Sequence, residues 1–260
     1  MRELIATKLK EIEDAHQAKI LFAVESGSRA WGFPSKDSDY DVRFVYVKRP
    51  EWYLSIDEKR DVIEVPINDS LDINGWDVRK ALRLFRKSNP PLMEWLISDI
   101  VYADNYDFRA EMMRLRDRVF SPKASMHHYI SMAKRNFREY LQAEQVKIKK
   151  YFYVLRPVLA CLWIEKYDTT PPILFGTLVN DLLQGSPVQH VVQDLYQRKI
   201  RGDEMDLEPK VDAINEFLSF HIERLLLLSR QYSGTGADPT RLLDDVFRNY
   251  LELVWKHANF

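Results

Sequence analysis

Two aspartates two residues apart, Asp39 and Asp41, stand at the head of a stretch rich in Val, Tyr and Phe that runs to Val47. If that stretch is a β-strand, alternation turns both carboxylates to one face. Carboxylates so placed hold divalent cations together. Magnesium prefers a few carboxylates completed by phosphate oxygens, which suits nucleoside triphosphate chemistry. Upstream, Gly27-Ser28 follows the apolar run Ile20-Leu21-Phe22-Ala23-Val24. A glycine there lets backbone N–H groups approach a phosphate closely, and the serine hydroxyl adds a donor. An Asp-Tyr-Asp alone is common turn chemistry at a strand edge. The ordered set is the informative signal: buried strand, Gly-Ser turn, short polar stretch, Asp-Tyr-Asp, apolar strand.

A two-cation site calls for a third carboxylate on a neighbouring strand. Asp72, between Leu71 and Ile73 just before a helical pattern, is the first choice, and Glu64, between Ile63 and Val65, is the alternative. Asp77 falls in the first turn of the next helix, where the helix dipole explains it without catalysis. That helix carries Arg79, Arg83 and Arg86 at a spacing of four and three, hence on one face. The face reads equally as a positive wall for triphosphate or RNA and as an ordinary solvated surface. Residues 134–150 hold a second cluster of Lys and Arg with Tyr140 in it and Tyr151 and Tyr153 just beyond, and Arg156 is spaced to extend its stripe. Adjacent His127 and His128 point about 100° apart on a helix and do not readily share an ion. Cys161, in an apolar run, reads as a small core residue rather than a nucleophile.

The elements that must position these residues follow from periodicity. Helical spacing over 2–18 precedes strands at 20–24 and 39–47, then a hairpin of 61–67 and 70–73 across Asn68-Asp69. A helix from Trp76 to Lys87 ends at Ser88-Asn89-Pro90-Pro91, and a short helix near 92–97, a strand at 100–103 and a helix over 105–119 follow. Beyond Ser121-Pro122 the pattern is helical: 125–146, 149–167, 173–183, 187–200, 210–231 and 239–257. The expectation is an α+β chain, with an α/β domain at 1–120 carrying a mixed sheet and a helical domain at 121–260. Only 8 glycines in 260 residues agree with long helices. A net charge of −1 removes any bulk basic bias, so nucleic-acid contact requires a local patch. The single cysteine favours a reducing cytoplasmic setting. The N-terminus does not read as a signal peptide, and the apolar stretch at 151–164, broken by Arg156 and Pro157, is too short for a membrane span.

Gly27-Ser28, ten intervening residues and Asp39-x-Asp41 resemble the motif of the polymerase-beta nucleotidyltransferase superfamily. The fuller Gly27–Phe33, Ser38–Arg43, Gly75–Lys80, Ser88-Asn89-Pro90 and Lys149–Pro157 segments resemble one branch of it, the RNA-ligase-associated polymerase-beta-like proteins. The resemblance spans roughly residues 20–185. It implies a nucleotidyltransferase α/β fold with a helical C-terminal region and Mg²⁺-dependent transfer of a nucleoside monophosphate from an NTP, with ATP expected. It places Gly27 and Ser28 on the triphosphate, Asp39 and Asp41 on two Mg²⁺ ions, and Asp72 at the third acidic position. In related enzymes a helix after the α/β domain serves the nucleotide, which assigns Lys149 and Lys150 to phosphate and Tyr153 to the base. Arg79 joins them as a charge offset for pyrophosphate. The acceptor is left open between RNA and protein, the latter as in AMP transfer by antitoxin-type enzymes. A catalytically silent nucleotide-binding module is a further alternative. A nucleotide-sugar glycosyltransferase is disfavoured, because it leaves the Gly-Ser turn unexplained.

Overall fold

An apolar run with no polar alternation must be covered on both faces, and the run beginning at Ile20 becomes an inner strand of the sheet. The structure, a computed structural model, describes residues 1–35, 38–65, 70–203, 205–232 and 238–256. Its main sheet comprises β1 (Ala18–Glu25), β2 (Tyr40–Lys48), β3 (Val62–Glu64), β4 (Leu71–Asp77) and β5 (Val101–Asp104). The strand order is β3-β4-β2-β1-β5. β2 and β4 run parallel while the other neighbours are antiparallel, so the sheet is mixed, as expected. The expected hairpin is present as the β3–β4 pair, and its turn at Asn68-Asp69 lies outside the described residues.

Helix α1 (Arg2–His16) lays Ile5, Leu9 and Ile12 over one face, against Val42, Phe44, Tyr46 and Ile73. Short helices α2 (Gly27–Ala30) and α3 (Pro50–Tyr53) went unseen in the sequence, being too brief for a periodic signal. The opposite face, with Leu21, Phe22, Val24, Val45 and Val47, packs under α4 (Val78–Arg86), α5 (Pro90–Leu96) and α6 (Phe108–Val119). β4 runs on to Asp77, so α4 begins at Val78 rather than Trp76. Gly75 lies under the Phe44 ring, where a Cβ would come within 2.2 Å of it.

The second half is helical. α7 (Pro122–Tyr140) stops earlier than periodicity suggests, and β6 (Gln145–Lys147) pairs with β7 (Leu207–Pro209). Three-residue strands carry too little pattern to be read from sequence. A 3₁₀ turn over Ile148–Tyr151 leads into α8 (Phe152–Tyr167), followed by α9 (Phe175–Leu182), α10 (Gln189–Arg201) and α11 (Asp212–Ser229). The last helix, α12 (Thr240–Trp255), returns to the sheet side, where Leu243, Val246 and Tyr250 join its core and Tyr250 meets Phe108 at 4.8 Å between ring centroids. A cut at residue 120 therefore separates α12 from the sheet core it packs on.

Phe33 and Glu94 are among the residues that join the halves. Phe33 inserts into the helical core against Phe152 (4.9 Å) and Phe175 (5.4 Å). Glu94 on α5 accepts from Arg156 Nη1 at 2.6 Å, Tyr129 Oη at 3.0 Å and Trp31 Nε1 at 3.1 Å. Arg156 is thus a buried partner of Glu94, not part of a basic surface stripe. Cys161 is fully buried, and burial pushes its thiol far above the ordinary range. Among the described residues no helix is long and apolar enough to cross a membrane.

Candidate active site

Because β1 and β2 are antiparallel, the end of one lies beside the start of the other. The Ser26 N–H donates to the Asp41 carbonyl at 2.8 Å. The chain then turns through Gly27 at φ 59°, where a Cβ would sit 2.1 Å from Asp41 Oδ2. Positive φ and lack of room both demand glycine. Gly27 opens α2, whose first N–H groups have no acceptor within the helix. Sequence local to the turn thus brings N–H donors with no acceptor inside the helix next to the Asp41 carboxylate.

The parallel β2–β4 register sets Asp72 directly opposite Asp41. Arg43, two residues along the same strand face, joins them: Nη2 lies 3.2 Å from Asp41 Oδ1 and 2.7 Å from Asp72 Oδ2. Burial raises the Asp41 carboxyl above its ordinary value, Arg43 opposes that, and the charges of Asp72 and Asp39 raise it further. Asp39 sits one residue before β2 and is exposed. The carbonyls of Asp39 and Ser38 accept from Arg29 at 3.1 and 2.8 Å, and that guanidinium lies 3.7 Å from the Tyr40 ring centre. Behind the site, fully buried Glu25 accepts the Asp41 N–H at 2.8 Å and the Tyr102 hydroxyl. Burial raises the Glu25 carboxyl, and those two hydrogen bonds oppose the rise.

A cavity of about 550 Å³ opens over these groups. Gly27, Ser28, Asp39, Asp41 and Arg43 line it from the sheet side. Lys149, Phe152, Tyr153 and Lys199 line it from the helical side, with Trp31 and Phe33 between. The Tyr153 hydroxyl is held protonated above its ordinary range, by burial first and then by the charges of Asp41 and Asp39. Lys199 Nζ donates to Ser35 Oγ at 3.1 Å.

The structure therefore gathers Gly27, Ser28, Asp39, Asp41, Lys149 and Tyr153 around one cavity, with Asp72 joined through Arg43. Lys150 turns aside, its Nζ 4.2 Å from the Tyr140 ring centre and 5.0 Å from that of Tyr153. Arg79 does not share the cavity. Asp72 is the second residue of β4 and Asp77 the last, about 16 Å apart at roughly 3.3 Å per residue, and Arg79 lies beyond that far end. Glu64 stands on edge strand β3, paired with Arg60 and opposite Asn74. Asp77 is fully buried and caps α4, accepting from the Arg79 N–H at 2.9 Å and the Tyr53 hydroxyl at 2.6 Å.

Sequence reasoning overlooked Glu25, Arg29, Arg43 and Lys199. A charged residue closing a buried run was a usable signal for Glu25. Arg43 needed the β2–β4 register, and Lys199 comes from a helix remote in sequence.

Do these residues suit divalent cations? Among the described residues no three acidic, histidine or cysteine side chains form a metal centre by themselves. The space between Asp41 and Asp72 nonetheless already takes a cation, the Arg43 guanidinium. Asp39 and Asp41 open onto the same cavity as the α2 backbone. Such a set is completed by phosphate oxygens, as magnesium sites on nucleotides usually are.

A family model described as the RNA repair pathway DNA polymerase beta family matches residues 1–249. The "Uncharacterized protein YcgL" of Bacillus subtilis (strain 168) is 52% identical over 256 residues, covering 98% of each chain. Among solved structures, a nucleotidyltransferase-like protein from Exiguobacterium sibiricum 255-15 aligns with a TM-score of 0.39 at 11% identity, over 88% of this chain and 78% of that one.

Proposed function

The chain belongs to the RNA repair pathway DNA polymerase beta family, and on that footing we propose that it transfers a nucleoside monophosphate from an NTP, ATP first, to a hydroxyl acceptor on RNA. One observation carries the reading: the Asp41 carboxylate lies against the Gly27 turn and directly across from Asp72.

Asp39 and Asp41 would hold two Mg²⁺ ions, with Asp72 the acceptor-side ligand. When bound, the ions offset triphosphate charge and lower the pKa of the attacking hydroxyl. The N–H groups of Gly27 and Ser28 hold the β- and γ-phosphates, and the Ser28 hydroxyl adds a donor. The acceptor oxygen forms a bond to the α-phosphorus, the bond from that phosphorus to its bridging oxygen breaks, and pyrophosphate leaves. Asp72 takes the hydroxyl proton. Lys149 offsets the charge that develops on pyrophosphate. Tyr153 and Trp31 give the base an aromatic wall. Glu25 and Arg29 hold the backbone of Asp41 and Asp39 through the Asp41 N–H and the Asp39 carbonyl, contacts that use no carboxylate oxygen of either aspartate.

Purified protein with α-labelled NTPs, Mg²⁺, and separate RNA and protein fractions tests the reading. Label enters RNA, and Asp39→Asn with Asp41→Asn abolishes it. Equal labelling by wild type and double variant sinks the proposal, and label entering protein alone replaces the acceptor.

A further inference from the structure

A second groove, of about 380 Å³, lies between α4 and α12 and shares no lining residue with the Asp39–Asp41 cavity. Arg79, Arg83 and Arg86 form one wall, and Leu82, Leu243 and Phe247 supply apolar surface. Asp244 is the one acid among its described lining residues. None of the three arginines makes an ion pair among the described residues. Two are nevertheless held in place. Arg79 stands over the rings of Tyr53 (5.4 Å) and Trp52 (6.0 Å), and Arg86 Nη1 donates to Thr240 Oγ1 at 2.6 Å. Such partners orient a guanidinium without neutralising it. Arg83 and Arg86 also complement the C-terminal dipole of α4. That explains positive charge on the helix, but not its placement along an apolar groove.

We infer that this groove binds the phosphodiester backbone of an RNA strand, away from the reacting end. The arginines follow one another by about 6 and 4.5 Å along the helix axis, a row of forked donors suited to successive phosphates. Leu243 and Phe247 offer ribose and base an apolar edge. The groove sits past the end of β4 opposite Asp72, so a strand held there presents its body to α4. The choice of RNA rests on the acceptor proposed above; the binding itself requires no catalysis.

Fluorescence anisotropy with a labelled single-stranded RNA of about 20 nucleotides, over roughly 50 to 200 mM salt, tests it. Arg83→Ala with Arg86→Ala, both exposed positions, weakens binding roughly tenfold at the lower salt. It also makes the slope of log K against log salt shallower by about 1.4, near 0.7 for each lost phosphate contact. The anisotropy reads binding with no transfer step, so failure of the catalytic reading and failure of the groove are read separately. Unaltered affinity and slope in the double variant, with a wild-type melting curve, overturn the inference. So does displacement of RNA by polyglutamate at equal charge, which points to an acidic protein instead.

Discussion

Strand β4 carries an aspartate near each end, and the two have opposite surroundings. Asp72 is partly exposed, shares Arg43 with Asp41, and sits beside a cavity. Asp77 is fully buried, caps α4 and accepts the Tyr53 hydroxyl. Burial raises the Asp77 carboxyl to about 6, against the pull of Tyr53 and the Arg79 and Lys80 backbone. Five residues apart on one strand, one carboxylate is paired with Arg43 across from Asp41 and the other starts a helix. The difference lies in what stands beside each: the start of a parallel strand bearing Asp41, or a helix N-terminus.

The contrast is broken most severely at the cavity end. Asp41→Asn lowers nucleotidyl transfer by about a thousandfold, the equivalent of several kcal/mol of lost charge stabilisation, while the melting temperature changes little. A steady-state assay beside a calorimetric melt checks both halves of that statement. Gly27→Ala follows at roughly a hundredfold, because the added methyl displaces either the turn or the Asp41 carboxylate by about an ångström.

At the other end of β4 the effect moves from rate to stability. Asp77→Ala removes a helix cap and costs about 1–2 kcal/mol in denaturant unfolding, with transfer per folded molecule unchanged. The same residue has a pH signature. Its folded carboxyl titrates near 6 and its reference value is 3.8, so between those values the native state holds the extra proton. Its contribution to stability is therefore greatest below about pH 4, falls as pH rises to about 6, and is level above. The difference between wild type and Asp77→Asn, followed by thermal melts across that range, isolates this term; a constant difference would contradict the assignment. Glu64→Gln is the smallest change, leaving transfer within about twofold, since its carboxylate pairs with Arg60 on an exposed edge.

Much of this was legible in the residues themselves. The Gly27-Ser28 and Asp39-Tyr40-Asp41 spacing identifies the turn and the strand head; alternation predicts both carboxylates on one strand face, and the structure has Asp39 one residue before β2 with both aspartates lining one cavity. Apolar neighbours flank Asp72 and Glu64 alike and do not separate them; the position of Asp72 across from Asp41 comes from the parallel β2–β4 register, which no local pattern encodes. Arg79 was misplaced because helical spacing tells which side chains share a face, not which end of the sheet the helix occupies. The return of α12 to the first half is likewise a long-range packing choice. Its apolar stripe, Leu243, Val246 and Tyr250, reads the same whichever core receives it.

Cation uptake tests the carboxylate site without any knowledge of the acceptor. Mn²⁺ titrated into the full chain with a non-hydrolysable nucleoside triphosphate, with free Mn²⁺ read by electron paramagnetic resonance, should show about two ions bound per chain. Asp41→Asn should lose at least one of them, and Glu64→Gln should retain both. Uptake by Asp41→Asn equal to wild type would contradict the assignment of Asp39, Asp41 and Asp72 as a cation-binding set.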